Sequence, residues 1–338
     1  MKNLVIIGNG FDLAHGLKTS YTHFIDDIRN NPFKYSIGDI NNLTNKMLEV
    51  LLKSEKELWS DIESVYYDIL TNHNNIGYMS RKYGISYYTD VINLNKDFNE
   101  IKEWLCKYLK EEEETNFKFV ENYELFFDHL SKKDSVILNF NYTNTVSQYI
   151  KKRSLDIDLI HIHGELENTE NPIIFGFAAG NDESKKLLTE NNNNFVRNIK
   201  KFNYLFTNNE ERLKKYIEES PDFNVFILGH SCGISDKLIL SQILNSRGIY
   251  KIYPFYFKDR DGYFDTMVNF DRIVDDYSKH GKEKTSFNKL MSFPKSYKMP
   301  QVDTDSELTE YLKNILAEDL PSEKQRREIE LAASRFMS

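Results

Sequence analysis

Six short apolar runs, set far apart along the chain, constrain its fold more than any other feature. They are Leu4–Ile7, Val136–Leu138, Leu159–Ile162, Pro172–Phe175, Val225–Leu228 and Ile249–Phe257. Runs of this length and character read as strands. The stretches between them are long and amphipathic, as crossover connections between parallel strands must be. The expected fold class is therefore α/β, Rossmann-like, with a mostly parallel sheet. Val136–Leu138 and Val225–Leu228 are apolar throughout, as strands covered on both faces are.

The first run leads directly into Gly8-Asn9-Gly10. Glycine lets the chain turn tightly and lets a phosphate approach the backbone. A helix starting there would aim its free N–H groups at that anion. The motif is incomplete, because Leu13 stands where a full G-x-G-x-x-G fingerprint has its last glycine. A glycine turn that merely ends a strand accounts for these residues equally well.

The chain's 338 residues suit one large domain or two modest ones. Its 21 Tyr and 23 Phe argue against disorder. Neither a membrane-length apolar run nor a signal peptide is visible. Cys106 and Cys232 stand far apart, so neither a disulfide framework nor a four-thiolate zinc site is expected, and the cytoplasm is the simplest location. A net charge of −8 disfavours long nucleic acid as a partner. The clusters Lys151-Lys152-Arg153 and Arg326-Arg327 are short and read as solvated faces.

Leu43, Met47, Leu51, Leu58, Ile62, Val65 and Ile69 approximate a helical stripe. Trp104, Leu105, Tyr108 and Leu109 predict a further helix, running into Glu111–Glu114 as a solvated end. The Asn191–Asn194 run reads as a loop with a helix to follow. The expected organisation is an α/β core of residues 1–39 and 130–260, a helical insertion over 40–129, and a C-terminal helical extension over 261–338.

Chemistry in open α/β sheets collects at the carboxyl ends of the strands. Four strand ends here carry unusual polar residues: Gly8-Asn9-Gly10, then Asn139 to Asn144, then His163-Gly164-Glu165, then Gly229-His230-Ser231 with Asp236 shortly after. Each has a plain structural alternative. Asn141 alone is best read as a cap for the next helix. Gly229-His230-Ser231 could be a turn and lacks the flanks of a nucleophile elbow. His161 and His163, two apart on one strand, are expected to share a face. Their spacing could serve a metal, but no carboxylate or cysteine is evidently paired with them, so no metal is expected.

The segments IIGNGFDLAHGLKTSY, FNYTNT, IHIHGELE followed by IIFGF, and ILGHSCGISD, with Trp59-Ser60-Asp61-Ile62-Glu63, resemble the bacterial AbiH family of phage abortive infection over roughly residues 1–260. The same ordered set is distantly similar to the sirtuin-like NAD-binding fold. That similarity implies a phosphate turn at Gly8, Asn9 and Gly10, a catalytic Asn141 and His163, and an adenosine-side turn at Gly229, His230 and Ser231. Thr143 stands where the superfamily usually has Asp, and Asp12 either contacts ribose or blocks NAD.

The resemblance implies an antiphage protein that hydrolyses the nicotinamide–ribose bond of NAD when activated. The alternative is a non-catalytic nucleotide-binding sensor or effector module in the same defence role. A deacylase of the zinc-bearing sirtuin type would need four cysteines. A nuclease would need acidic metal ligands beside a basic track. Expected partners are a small-molecule nucleotide, a phage-derived activator and further copies of the chain, with NAD as substrate or ligand and neither metal nor membrane.

Overall fold

The computed structural model describes residues 2–53, 59–84, 88, 90–178, 181–256, 260–278 and 297–302. Strand β1 (Lys2–Ile7) runs into a short helix, α1 (Asn9–Ala14). A helical layer follows: α2 (Tyr21–Asn30), α3 (Lys46–Lys53), α4 (Trp59–Asn72), α5 (Ile76–Tyr83), α6 (Val91–Asn116) and α7 (Glu121–Ser131). Then come β2 (Ser135–Asn139), α8 (Thr145–Arg153), β3 (Asp158–His161), α9 (Asn181–Leu188), α10 (Lys200–Asn203) and α11 (Asn209–Glu218). The chain continues through β4 (Phe223–Leu228), α12 (Lys237–Leu244), β5 (Ile249–Tyr256), α13 (Arg260–Ser278) and β6 (Tyr297–Lys298). The C-terminal residues expected to be helical, 303–338, lie outside the described residues, as do the side chains of Trp59, Ser60 and Asp61.

The six strands pair in the order β3-β2-β1-β4-β5-β6, all parallel. Leu4 is flanked in register by Val136 on one side and Val225 on the other. Alternate residues of β1 enter different cores: Leu4 and Ile6 on one face, Val5 and Ile7 on the other. Burial on both faces explains why these strands lack the polar alternation of a half-exposed sheet. The helical layer has a core of its own, built from residues such as Phe24, Met47, Leu51, Ile62, Tyr66, Phe98 and Leu105.

Two expectations are corrected here. Pro172–Phe175 is not a strand, although Ile173, Ile174 and Phe175 are buried. Its ladder is short of donors, since Pro172 has no N–H. Its apolar side chains instead serve two cores, Ile174 under the sheet and Phe175 in the helical layer. The acidic end of α6 is not simply solvated. Glu112 is buried and accepts the Lys18 N–H at 2.7 Å, and the Glu113 carboxylate takes the Asn144 N–H at 3.1 Å. Helix α6 thereby anchors both loops that rise from β1 and β2.

Candidate functional site

The strand order reverses between β1 and β4, so their carboxyl ends splay and leave a crevice. Three glycines close its floor. Gly8 donates its N–H to Leu228 O (3.0 Å), and Gly10 donates to Gly229 O (2.8 Å). A Cβ on Gly10 would sit 2.7 Å from Gly229 Cα, and one on Gly8 would sit 2.7 Å from His230 Cα. Gly229 adopts φ +65°, a left-handed conformation that glycine reaches without strain. The need for glycine is therefore close backbone packing between two strand ends. The Gly8 and Gly10 N–H groups, expected to face a phosphate, are bonded within the protein. Asn9 accepts from Thr19 Oγ1 through its Oδ1 (2.6 Å).

The end of β2 joins the same junction. Asn141 does not cap the following helix. Its Nδ2 donates to Gly8 O (3.0 Å), and α8 instead begins after Asn144. Thr143 Oγ1 donates to Asp12 Oδ2 at 2.6 Å. So a carboxylate does stand beside position 143, supplied by α1. Asp12 Oδ1 is buried without a hydrogen bond. Burial pushes the Asp12 carboxyl up to about 7, against the opposing hydroxyl bonds. At neutral pH it is shared between its two protonation states.

His163 lies beyond the end of β3, among the rings of Phe140, Tyr142 and Tyr204. Its Nε2 lies 3.2 Å from Asp236 Oδ1 and has no other partner. Asp236 is a hub. Its Oδ1 lies 3.3 Å from Lys200 Nζ, and its Oδ2 lies 3.5 Å from His230 Nε2. Lys200 reaches on to Glu63 Oε2 at 3.0 Å, and Glu63 Oε1 accepts the Gly176 N–H at 3.3 Å. Burial disfavours the Lys200 ammonium, but Glu63 and Asp236 together hold its pKa above the usual lysine value. Burial also opposes ionisation of Asp236, yet Lys200 and His163 hold it well below the usual carboxylate range. Burial pushes Glu63 up to about 7, since it shares one ammonium with a second carboxylate. Burial and the neighbouring Lys200 charge lower His163, which is neutral at pH 7.

His161 and His163 do not face the same space. The strand ends at His161 and the chain turns at Ile162 and His163, so strand alternation does not extend to His163. His161 turns to a second cavity of about 500 Å³ at the outer edge of the sheet, where its Nε2 lies 3.4 Å from Glu165 Oε2. His163 opens into the central crevice. His15 is structural. It bonds Phe11 O and the Tyr149 hydroxyl, and burial lowers it to about 4.

The central crevice encloses about 1020 Å³. It is lined by every residue expected at the site: Gly8, Asn9, Gly10, Asp12, Asn141, His163, Gly229, His230 and Ser231. Its size suits a ligand at or above the roughly 300–1,000 Å³ of ordinary ligand pockets. Sequence reasoning missed Glu63 as a wall residue, and also Lys200 and Arg272. Glu63 had a faint signal: it precedes the buried Tyr66 and Leu70 by three and seven residues, which places it on the apolar face of α4. Among the described residues no three His, Cys, Asp or Glu side chains converge as a metal set, and no helix is long and apolar enough to cross a membrane.

An open parallel sheet in this strand order, with one large crevice at its switch point, defines a Rossmann-like α/β protein. The family described as bacteriophage abortive infection AbiH matches residues 4–257, and the chain belongs to it. That membership carries a defence role against phage by abortive infection. No individually curated protein matches the chain.

Proposed function

We propose that the crevice binds NAD and hydrolyses its nicotinamide–ribose bond, with His163 and Asn141 at the reacting end. The observation that carries this reading is the convergence of His163, Asn141, Asp12 and the β1–β4 glycine junction on one crevice of dinucleotide size. Cleavage passes through a cationic, oxocarbenium-like ribose, as in glycoside hydrolysis generally. Buried carboxylates at Asp12 and Asp236 favour such a cation. Neutral His163 is in the form that can accept a proton from an attacking water. An ionised Asp236 beside Nε2 favours the tautomer that leaves Nδ1 basic. Water adds to the ribose carbon, nicotinamide leaves with the bonding pair, and the water's proton passes to His163. Asn141 acts by holding the glycine turn through Gly8 O and so shaping the ribose pocket. The remaining assignments, an adenosine-side role for Gly229, His230 and Ser231, rest on the resemblance.

The second reading is a nucleotide sensor that does not cleave. Thr143, standing where the resemblance expects an Asp, favours it, since its hydroxyl is spent on Asp12. Incubating the purified protein with NAD⁺, while measuring free nicotinamide by chromatography and binding by calorimetry, separates the two. Released nicotinamide that vanishes in His163→Ala supports hydrolysis. Binding without release supports the sensor, and neither binding nor release overturns both.

A further inference from the structure

The charge in the crevice is unevenly placed. Its base holds three carboxylates, Asp12, Glu63 and Asp236, and a single ammonium, Lys200. Lys200 is buried between two of those carboxylates and has no reach left for a ligand anion. At the mouth, α13 contributes one carboxylate, Asp265, and one cation, Arg272, an exposed guanidinium that bonds Asn269 Oδ1 at 3.1 Å, while Asn269 Nδ2 donates to Ser231 O at 3.0 Å. That chain of contacts links the guanidinium, through Asn269, to the Ser231 turn. Among the described residues lining the crevice, Lys200 and Arg272 are the two basic side chains, so Arg272 is the one left to meet an anion.

We infer that the crevice selects and orients a zwitterionic nucleotide, with a cationic ring drawn to Glu63 and Asp236 at the base and a diphosphate held by Arg272 at the mouth. The inference rests on the nucleotide reading above and adds what that reading lacks, a source of selectivity and a grip on phosphate. Two carboxylates facing one ammonium leave a negative charge that a pyridinium neutralises. A dihydropyridine ring carries no charge and gains nothing there. The groups facing Glu63 are Lys200, Asp236, the Tyr142 and Tyr204 hydroxyls and the Gly176 N–H. A cation added among them favours the ionised carboxylate, so binding of the oxidised nucleotide expels a proton near pH 7. Arg272 is the specificity determinant at the other end. Its forked donors suit a phosphate better than a lysine's point charge does.

Titration calorimetry on the full chain tests this with three probes: NAD⁺, NADH and ADP-ribose. NAD⁺ should bind on the order of tenfold tighter than NADH. Repeating the NAD⁺ titration at pH 7 in two buffers of different ionisation enthalpy should reveal proton release, absent with ADP-ribose. Glu63→Gln should erase the NAD⁺ preference and the proton release while ADP-ribose affinity holds. Arg272→Ala should weaken all three probes alike, and Arg272→Lys should restore only part. The buffer comparison uses the unaltered protein, so it decides even if Glu63→Gln folds poorly. Equal NAD⁺ and NADH affinity, or NAD⁺ binding without proton release, overturns the inference and leaves the nucleotide reading standing. Failure of all three probes to bind overturns both.

Discussion

At the scale of single residues, the molecule keeps several titratable side chains in costly surroundings. Asp12 is the clearest case. In the unfolded chain its carboxyl ionises near its ordinary value, while in the fold it stays protonated up to about 7. Between roughly pH 4 and 7 the folded state therefore holds a proton that the unfolded state has lost, and stability falls as pH rises through that window. Above it the loss is constant. Asp12→Asn keeps an acceptor for Thr143 Oγ1 and removes the ionisation. The variant should be more stable than the parent by roughly 1–3 kcal/mol at pH 7 and show a flatter pH–stability curve from 4 to 7. Urea melts across that range check this, and an unchanged slope would locate the penalty elsewhere. His161 and His163 separate in the same way. His161 belongs to the edge cavity, so His161→Ala should lower the melting temperature more than nicotinamide release. His163→Ala should lower release by about 10² to 10⁴ in rate, with the fold intact. Melts and activity per folded molecule, measured side by side, distinguish them.

Among elements, much of what positions the crevice was legible, because a buried parallel strand announces itself as an apolar run with glycine or a polar residue at its end. Leu4–Ile7, Val136–Leu138 and Val225–Leu228 all lie within strands, and Gly8, Asn141 and Gly229 follow them. What glycine did there was not legible. A phosphate cradle and a strand-to-strand contact demand the same missing Cβ, and only the partners of the N–H groups distinguish them. Pro172–Phe175 misled because burial in a coil and burial in a strand leave the same apolar run. Strand β6, two residues long, is too short to leave a periodic trace. The acidic end of α6 misled for a different reason. Glu112 and Glu113 answer backbone N–H groups of distant loops, which local sequence does not display. Glu113→Ala should free the Asn144 N–H at the start of α8 and cost about 1 kcal/mol, as loss of a helix cap does. Chemical denaturation measures it, and the loss should exceed that of Glu114→Ala, whose carboxylate is exposed.

For the whole molecule, the crevice is a meeting place of parts far apart in sequence. The β1–β4 junction forms its floor, α4 brings Glu63, the first residue of α10 is Lys200, and α13 crosses the mouth with Phe264, Val268 and Arg272. Glu63 and Lys200 were illegible as partners because nothing local joins them; only the packing of the helical layer against the sheet does. Such a site couples its walls. A ligand that touches several of them stabilises the assembly by mass action, about 2.7 kcal/mol at a hundredfold excess over its dissociation constant. Hydrogen exchange should report where. On adding NAD⁺, amides of Asn9–Ala14, residues 139–144, 229–236 and 264–272 should slow together, because each segment lines the crevice. Residues 158–161 and 206–212 border the separate edge cavity and should change far less. Protection centred on that edge cavity would move the site from His163 to His161. Protection confined to 229–236 would mean that the ligand meets one wall and that the crevice does not close on it as a unit.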